Sequence, residues 1–187
     1  MRHDVADLIG SVWGVVGALW LVLAFRTKRT VESRGSMVRI VFLVVVFAVL
    51  VRAPFSQSAL HHSLWTSSGP VAFVGLTFVA LGAIFAVWAR LTIGTNWSGA
   101  VTLKENHELI RGGPYAIVRH PIYTALFTMG LGTIVEDGEL YNLVPFVAAI
   151  LFFAVKIRSE ERLMCDAFPD EYPEYRRTVK AVIPFVW

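Results

Sequence analysis

Two stretches of the chain concentrate side chains able to bind and orient a small charged molecule. The first covers 105–123 and holds His107, Glu108, Arg111, Tyr115, Arg119, His120 and Tyr123. Within it, Gly112-Gly113-Pro114 is turn chemistry. Pro121 suits the first position of a helix, which sets Arg119 and His120 at a helix N-terminus. Free backbone N–H groups and the positive end of the helix dipole there suit a carboxylate. His120 and Tyr123 are three residues apart and so share one helix face. The second stretch is Lys156-Ile157-Arg158-Ser159-Glu160-Glu161-Arg162. Lys156 and Glu160 stand four apart, as do Arg158 and Arg162. As an exposed pair alone, Lys156 and Glu160 would contribute about 0.2–0.5 kcal/mol. Adjacent carboxylates with a base beside them also form a receptor for a polar or cationic group. Singly, each residue has a plain role: Arg119 and His120 as headgroup anchors, Tyr123 in an aromatic belt. Taken together with the turn and His107, they define a candidate site.

The elements that must position these residues are membrane spans. Of 187 residues, 56% are hydrophobic and 17% charged, against about 45–50% and 25% in soluble domains. Mean hydropathy is +0.60. A soluble globule cannot hide that much apolar surface, so the expected class is an all-α integral membrane protein. Disorder is excluded, because it needs low hydrophobicity. A disulfide scaffold is excluded, because Cys165 is the sole cysteine. Apolar runs of about 20 residues mark bilayer-spanning helices. They predict five spans, over 5–25, 37–53, 70–91, 121–135 and 140–157. Asp4 and Asp7 precede a longer apolar run with no small-residue cleavage site, so the first is expected to be a retained span. Pro145 is expected to bend the start of the fifth. The expected organisation is three transmembrane helices over 1–91, then a region over 92–187 with a loop, two spans and a cytosolic C-terminal helix.

Lys and Arg counts orient the spans. One side carries fifteen of them, in the first loop (Arg26 to Arg39), around 90–119 and in the tail from Lys156 to Lys180; the other carries only Arg2 and Arg52. That split places the N-terminus outside and the C-terminus in the cytosol. It also accounts for the pI of about 9.2. A nucleic-acid footprint would be a contiguous basic face on a known fold, and none is visible. Both polar stretches then lie on the cytosolic side against membrane helices, where a soluble cosubstrate and a lipid-embedded one would meet.

The order of the pieces resembles the isoprenylcysteine carboxyl methyltransferase family and the related phospholipid N-methyltransferases. The pieces are Gly113-Pro114-Tyr115, Val118-Arg119-His120-Pro121-Ile122-Tyr123, Glu160-Glu161 and Phe168-Pro169-Asp170-Glu171-Tyr172-Pro173-Glu174-Tyr175, closing on Ile183-Pro184-Phe185. Upstream, Asn106-His107-Glu108-Leu109-Ile110 is similar to the family's cosubstrate loop. The resemblance covers 96–185, about half of the chain. It implies S-adenosylmethionine as methyl donor in a cytosolic-side pocket built from the C-terminal half. The implied cofactor-binding residues are His107, Glu108, Leu109, Ile110, Tyr115, Arg119, His120, Pro121, Ile122, Tyr123, Glu160 and Glu161. The implied catalytic group is Glu160 with a cation for the substrate carboxylate, at Lys156 or Arg158. The chain departs from the family at Ala125, where Gly is frequent. No GxGxxG follows a strand-like segment, which argues against a Rossmann-type methyltransferase.

The activity so implied is carboxyl O-methylation of an isoprenylcysteine-type, lipid-like or prenylated substrate taken from the lipid membrane. A carboxylate acceptor needs no general base, whereas an ammonium has no lone pair and needs one. The alternative is N-methylation of a phosphatidylethanolamine-type headgroup. An NADPH-dependent sterol-reductase-like enzyme shares a His-Pro-x-Tyr pattern but is a longer protein. A non-enzymatic scaffold would leave the clustering of His107, His120 and Glu160 unexplained. His61-His62 has no nearby Cys or acid and reads as a solvated loop, so no metal is expected. Cys165 reads as an ordinary reduced thiol.

Overall fold

The first apolar run folds as helix α1, Arg2–Ala24. It is followed by α2, Gly69–Ile93, α3, Pro121–Asp137, α4, Leu143–Ala167, and the short α5, Glu171–Thr178. These come from a computed structural model that describes residues 2–27, 29–33, 63–98, 102–104, 108–184 and 186. The span expected over 37–53 lies outside the described residues. Among the described residues, three helical stretches are long and apolar enough to cross a membrane: Asp4–Ala24, Gly69–Asn96 and Leu140–Ala167. The 17 residues of α3 extend about 25 Å, slightly less than a hydrocarbon core of about 30 Å.

Element ends follow local chemistry. Pro121 opens α3, and Pro145 sits in the first turn of α4, where its missing N–H costs no hydrogen bond. Helix α4 runs on past the apolar stretch to Ala167, because Glu160-Glu161-Arg162-Leu163-Met164 are all good helix formers. One detail departs from a purely helical chain. Strands β1, Thr30–Ser33, and β2, Thr102–Lys104, pair antiparallel as a two-stranded ribbon.

Helices α2 and α3 pack antiparallel with their backbones in contact. A Cβ at Gly75 would lie 2.6 Å from the Gly132 carbonyl oxygen, and one at Gly132 would lie 2.6 Å from that of Gly75. Further along, a Cβ at Gly82 would meet the Ala125 carbonyl oxygen at 2.9 Å. A small residue at 125 thus keeps the contact without being glycine. Lipid tails offer no hydrophobic force between helices, so close van der Waals approach through small residues is what joins them. Helix α1 lays Ile9 and Val16 against Val79, Ala83 and Met129. Trp13 Nε1 donates to Thr133 Oγ1 at 3.1 Å. On the outer faces Val15, Leu21, Phe73, Ile84, Leu151 and Val155 are all at least 63% exposed. Such surface is a liability in water and ordinary against acyl chains. The chain is an integral membrane protein.

Gly75→Val should therefore force α2 and α3 apart, lowering stability by about 1–3 kcal/mol. Gly14→Ala, at a glycine with nothing within 4 Å, should not. Thermal melting of the two variants in detergent checks this.

Candidate functional site

The start of α3 is held by the C-terminal tail. Val118 pairs with Lys180 in a parallel bridge. The backbone N–H of Arg119 donates to the Lys180 carbonyl at 2.8 Å, and that of His120 to Ala181 at 2.9 Å. Thr124 Oγ1 donates to the Val182 carbonyl at 2.7 Å. The N–H groups of Arg119 and His120, just before the helix, are thus satisfied by the tail. The reason is tertiary: buried backbone donors take the nearest acceptor, and here it is a strand-like tail.

With the backbone fixed, the side chains of Arg119 and His120 turn toward the end of α4. The His120 ring stacks parallel to that of Tyr123, with centroids 5.4 Å apart and planes 3° from parallel. The Tyr123 hydroxyl donates to Glu160 Oε1 at 2.8 Å and lies 2.9 Å from Oε2. His120 Nδ1 lies 3.6 Å from Glu160 Oε2, and Lys156 Nζ 3.6 Å from Oε1. Lys156 also sits 5.2 Å from the Tyr123 ring centroid, a cation–π distance.

Behind this cluster lies a second one. Arg119 Nε donates to Glu161 Oε1 at 2.9 Å. Its Nη1 donates to the carbonyls of Arg176 and Val179. Arg176 Nε lies 3.2 Å from Glu161 Oε2. His120 Nε2 is 3.4 Å from Glu161 Oε1, yet it is buried without hydrogen-bond geometry to any acceptor. The Tyr175 hydroxyl donates to the Tyr115 carbonyl at 2.5 Å, tying α5 to the turn before α3. Burial pushes the Tyr175 phenol up to about 12 and the Tyr115 phenol further, so both stay protonated at neutral pH. Gly113, at φ +60°, supplies the left-handed residue that starts the turn presenting Tyr115.

Between these groups is a cavity of about 380 Å³. The structure brings most of the expected residues to its wall: 108–110, Tyr115, 119–123, Lys156 and Glu160. Glu161 is buried against Arg119 and does not line the cavity. Arg158 is exposed outside it, because two residues from Lys156 is about 200° of helical rotation. His107 lies outside the described residues. Sequence reasoning missed Trp20 of α1, Asn96 and Trp97 just after α2, Phe153, and the walls given by Tyr172 and Tyr175. The two tyrosines stand three apart on α5, a visible signal. A tryptophan in a span reads equally well as packing, and Asn96 had only its polarity at the end of an apolar run.

The model of the isoprenylcysteine carboxyl methyltransferase (ICMT) family matches residues 74–166. The cobalt-zinc-cadmium resistance protein CzcN of Cupriavidus metallidurans is 34% identical over 74% of this chain and 62% of its own length. Protein-S-isoprenylcysteine O-methyltransferase B of Arabidopsis thaliana is 32% identical over 60% of this chain and 58% of its own. The Schizosaccharomyces pombe protein-S-isoprenylcysteine O-methyltransferase is 34% identical over 59% and 48%. A solved structure of the eukaryotic intramembrane Ras methyltransferase ICMT superposes with a TM-score of 0.58 at 26% identity, over 83% of this chain and 55% of that one. The chain thus spans about half to three-fifths of the length of the proteins it matches.

Arg119 and Glu161 side chains are only 7% and 8% exposed, so neither tolerates loss of the other. Glu161→Ala should cost about 3–5 kcal/mol by leaving the guanidinium buried and uncompensated. Arg119→Met with Glu161→Leu should recover much of that loss. Melting temperatures of the single and double variants in detergent check the pair.

Proposed function

We propose that the chain, whose residues 74–166 match the isoprenylcysteine carboxyl methyltransferase family, is a member of that family and an S-adenosylmethionine-dependent methyltransferase. Its reaction is carboxyl O-methylation of a lipid-like, isoprenylcysteine-type acceptor at the membrane interface. The observation that carries this reading is the Glu160 carboxylate, held by Tyr123, His120 and Lys156 on the wall of a cavity between membrane helices.

The residues present fit the methyl donor. A cavity of about 380 Å³ falls within the roughly 300–1,000 Å³ usual for small-molecule sites. Its lining combines apolar side chains such as Ile93, Ile110 and Leu126 with a carboxylate and a basic group, Glu160 and Lys156. When bound, S-adenosylmethionine supplies a methyl group on a sulfonium, activated for in-line displacement. Glu160 holds the cationic part of the donor, and Tyr123 fixes the plane of that carboxylate by donating to it. Lys156, buried on α4, binds and orients the acceptor carboxylate, a role that exposed Arg158 is not placed to fill. The buried setting strips water from the acceptor, and alignment supplies most of the remaining acceleration. The C-terminus lies in the cytosol and the N-terminus outside, on the Lys and Arg asymmetry. That orientation opens the site to the compartment that holds the donor.

Purified protein given radiolabelled S-adenosylmethionine should transfer label to a prenylcysteine acceptor as a base-labile methyl ester. Label on phosphatidylethanolamine instead would identify an N-methyltransferase. Calorimetry should detect S-adenosylhomocysteine binding and no saturable NADPH binding. Glu160→Gln and His120→Ala should each weaken S-adenosylhomocysteine roughly ten- to a hundredfold, as expected for loss of about 1.5–3 kcal/mol in a charge-assisted hydrogen bond. The double variant should lose less than the sum, because both side chains serve one ligand. A reporter fused after Trp187 should be active only on the cytosolic side.

A further inference from the structure

Part of the cavity wall is built by the turn that follows α2, and a buried arginine holds that turn in place. Arg90, 2% exposed near the end of α2, donates from Nη1 to the Gly94 carbonyl and from Nη2 to the Leu23 carbonyl of α1, both at 2.7 Å. Its guanidinium carbon lies 4.7 Å from the centroid of the Trp97 ring. One cation thereby pins the end of α1, which carries Trp20, to the turn that carries Asn96 and Trp97. All three of those residues line the cavity.

Asn96 is the unusual member. It is 7% exposed, and its Oδ1 is buried with no hydrogen-bond partner. A desolvated carboxamide oxygen left unpaired is costly, and native structures rarely keep one without a reason. A half-turn about the terminal side-chain bond exchanges oxygen and nitrogen without moving any other atom. Oδ1 itself is closed off by protein atoms, so this half-turn is what brings an acceptor oxygen to the cavity wall that Asn96 lines. Its neighbours Trp20, Trp97 and Ile93 are flat or apolar, while the charged groups Glu160 and Lys156 project from α4. An ammonium goes to a carboxylate. A neutral, planar heterocycle with an N–H edge goes to aromatic surface and a neutral carboxamide. Carboxamides pair in this way with the amine edge of adenine.

Building on the methyl-donor reading above, we infer that Asn96, held in place by the Arg90-clamped turn, recognises the exocyclic amine of the donor's adenine. Asn96 is then a specificity-determining residue. The test compares S-adenosylhomocysteine with its 6-deamino analogue, which carries purine in place of adenine, by calorimetry on the full chain in detergent. Wild-type protein should prefer the amine-bearing ligand about tenfold, the scale of one hydrogen bond lost from a buried site. Asn96→Ala should weaken S-adenosylhomocysteine about tenfold and bind the two ligands equally. Asn96→Asp, which keeps an acceptor oxygen at the same place, should retain the preference. Equal affinity of the wild type for both ligands overturns the inference without any variant. A preference that persists in Asn96→Ala overturns it as well. In either case the methyltransferase reading stands, since S-adenosylhomocysteine is still bound. Wild-type protein that binds neither ligand overturns both.

Discussion

The guanidinium of Arg119 and the carboxylate of Glu161 meet in a space almost closed to solvent, and each is the sequence neighbour of a residue in the candidate site. Fixing Arg119 against Glu161 fixes His120 against Glu160, because one peptide step separates each pair. The same guanidinium accepts no compromise in position, since it also donates to the carbonyls of Arg176 and Val179. It therefore ties three elements: the start of α3, the end of α4 and the chain leaving α5. A buried ion pair adds little net stability over an apolar replacement, because desolvation consumes most of the Coulombic gain. What it adds here is register. A shift of either helix by one residue would leave a charge buried alone.

The α2–α3 contact supplies the second constraint. Gly75 and Gly132 bring the two backbones together near one end, so the opposite ends also stay close. There the residues after α2 face the turn before α3, and the cavity forms between them. Ala89, Tyr115 and Ile122 pack as one cluster, with Trp97 and Tyr123 against it. Helix α1 joins through the packing of Ile9 and Val16 and, at its end, through Arg90. A charge near the end of a membrane helix is expensive unless paired, and here two helix-end carbonyls and an aromatic face pair it.

Much of this was legible before any coordinates. The runs at 5–25, 70–91 and 121–135 became helices whose ends differ by a few residues at most. Helix period alone placed His120 beside Tyr123 and Lys156 beside Glu160, and order along the chain placed both pairs at the same mouth. Other features carry no local signal. The pairing of Val118 with Lys180 joins residues distant in sequence, and nothing in either segment names its partner. The choice between Lys156 and Arg158 needs the rotational phase of α4, which hydropathy leaves open once a helix runs out of the apolar zone. Trp20 reads as packing from sequence, because a tryptophan in a span looks the same whether it faces lipid, helix or cavity.

The character of the cavity bears on which acceptor it suits. Transfer of a methyl group from a sulfonium to a carboxylate begins with opposite charges and ends with two neutral groups. Water stabilises the separated charges more than it stabilises the charge-dispersed transition state, so a drier site speeds the step. A neutral amine acceptor gains less, because positive charge only moves from sulfur to nitrogen. The wall here is mostly apolar, with charge in the group around Glu160, Lys156 and His120 and at Glu108 and Arg119. Within that group the Lys156 ammonium lies 3.6 Å from Glu160 Oε1. On the reading proposed above, dry walls therefore favour carboxylate over amine through the charge neutralised in the step, on grounds that do not depend on family membership.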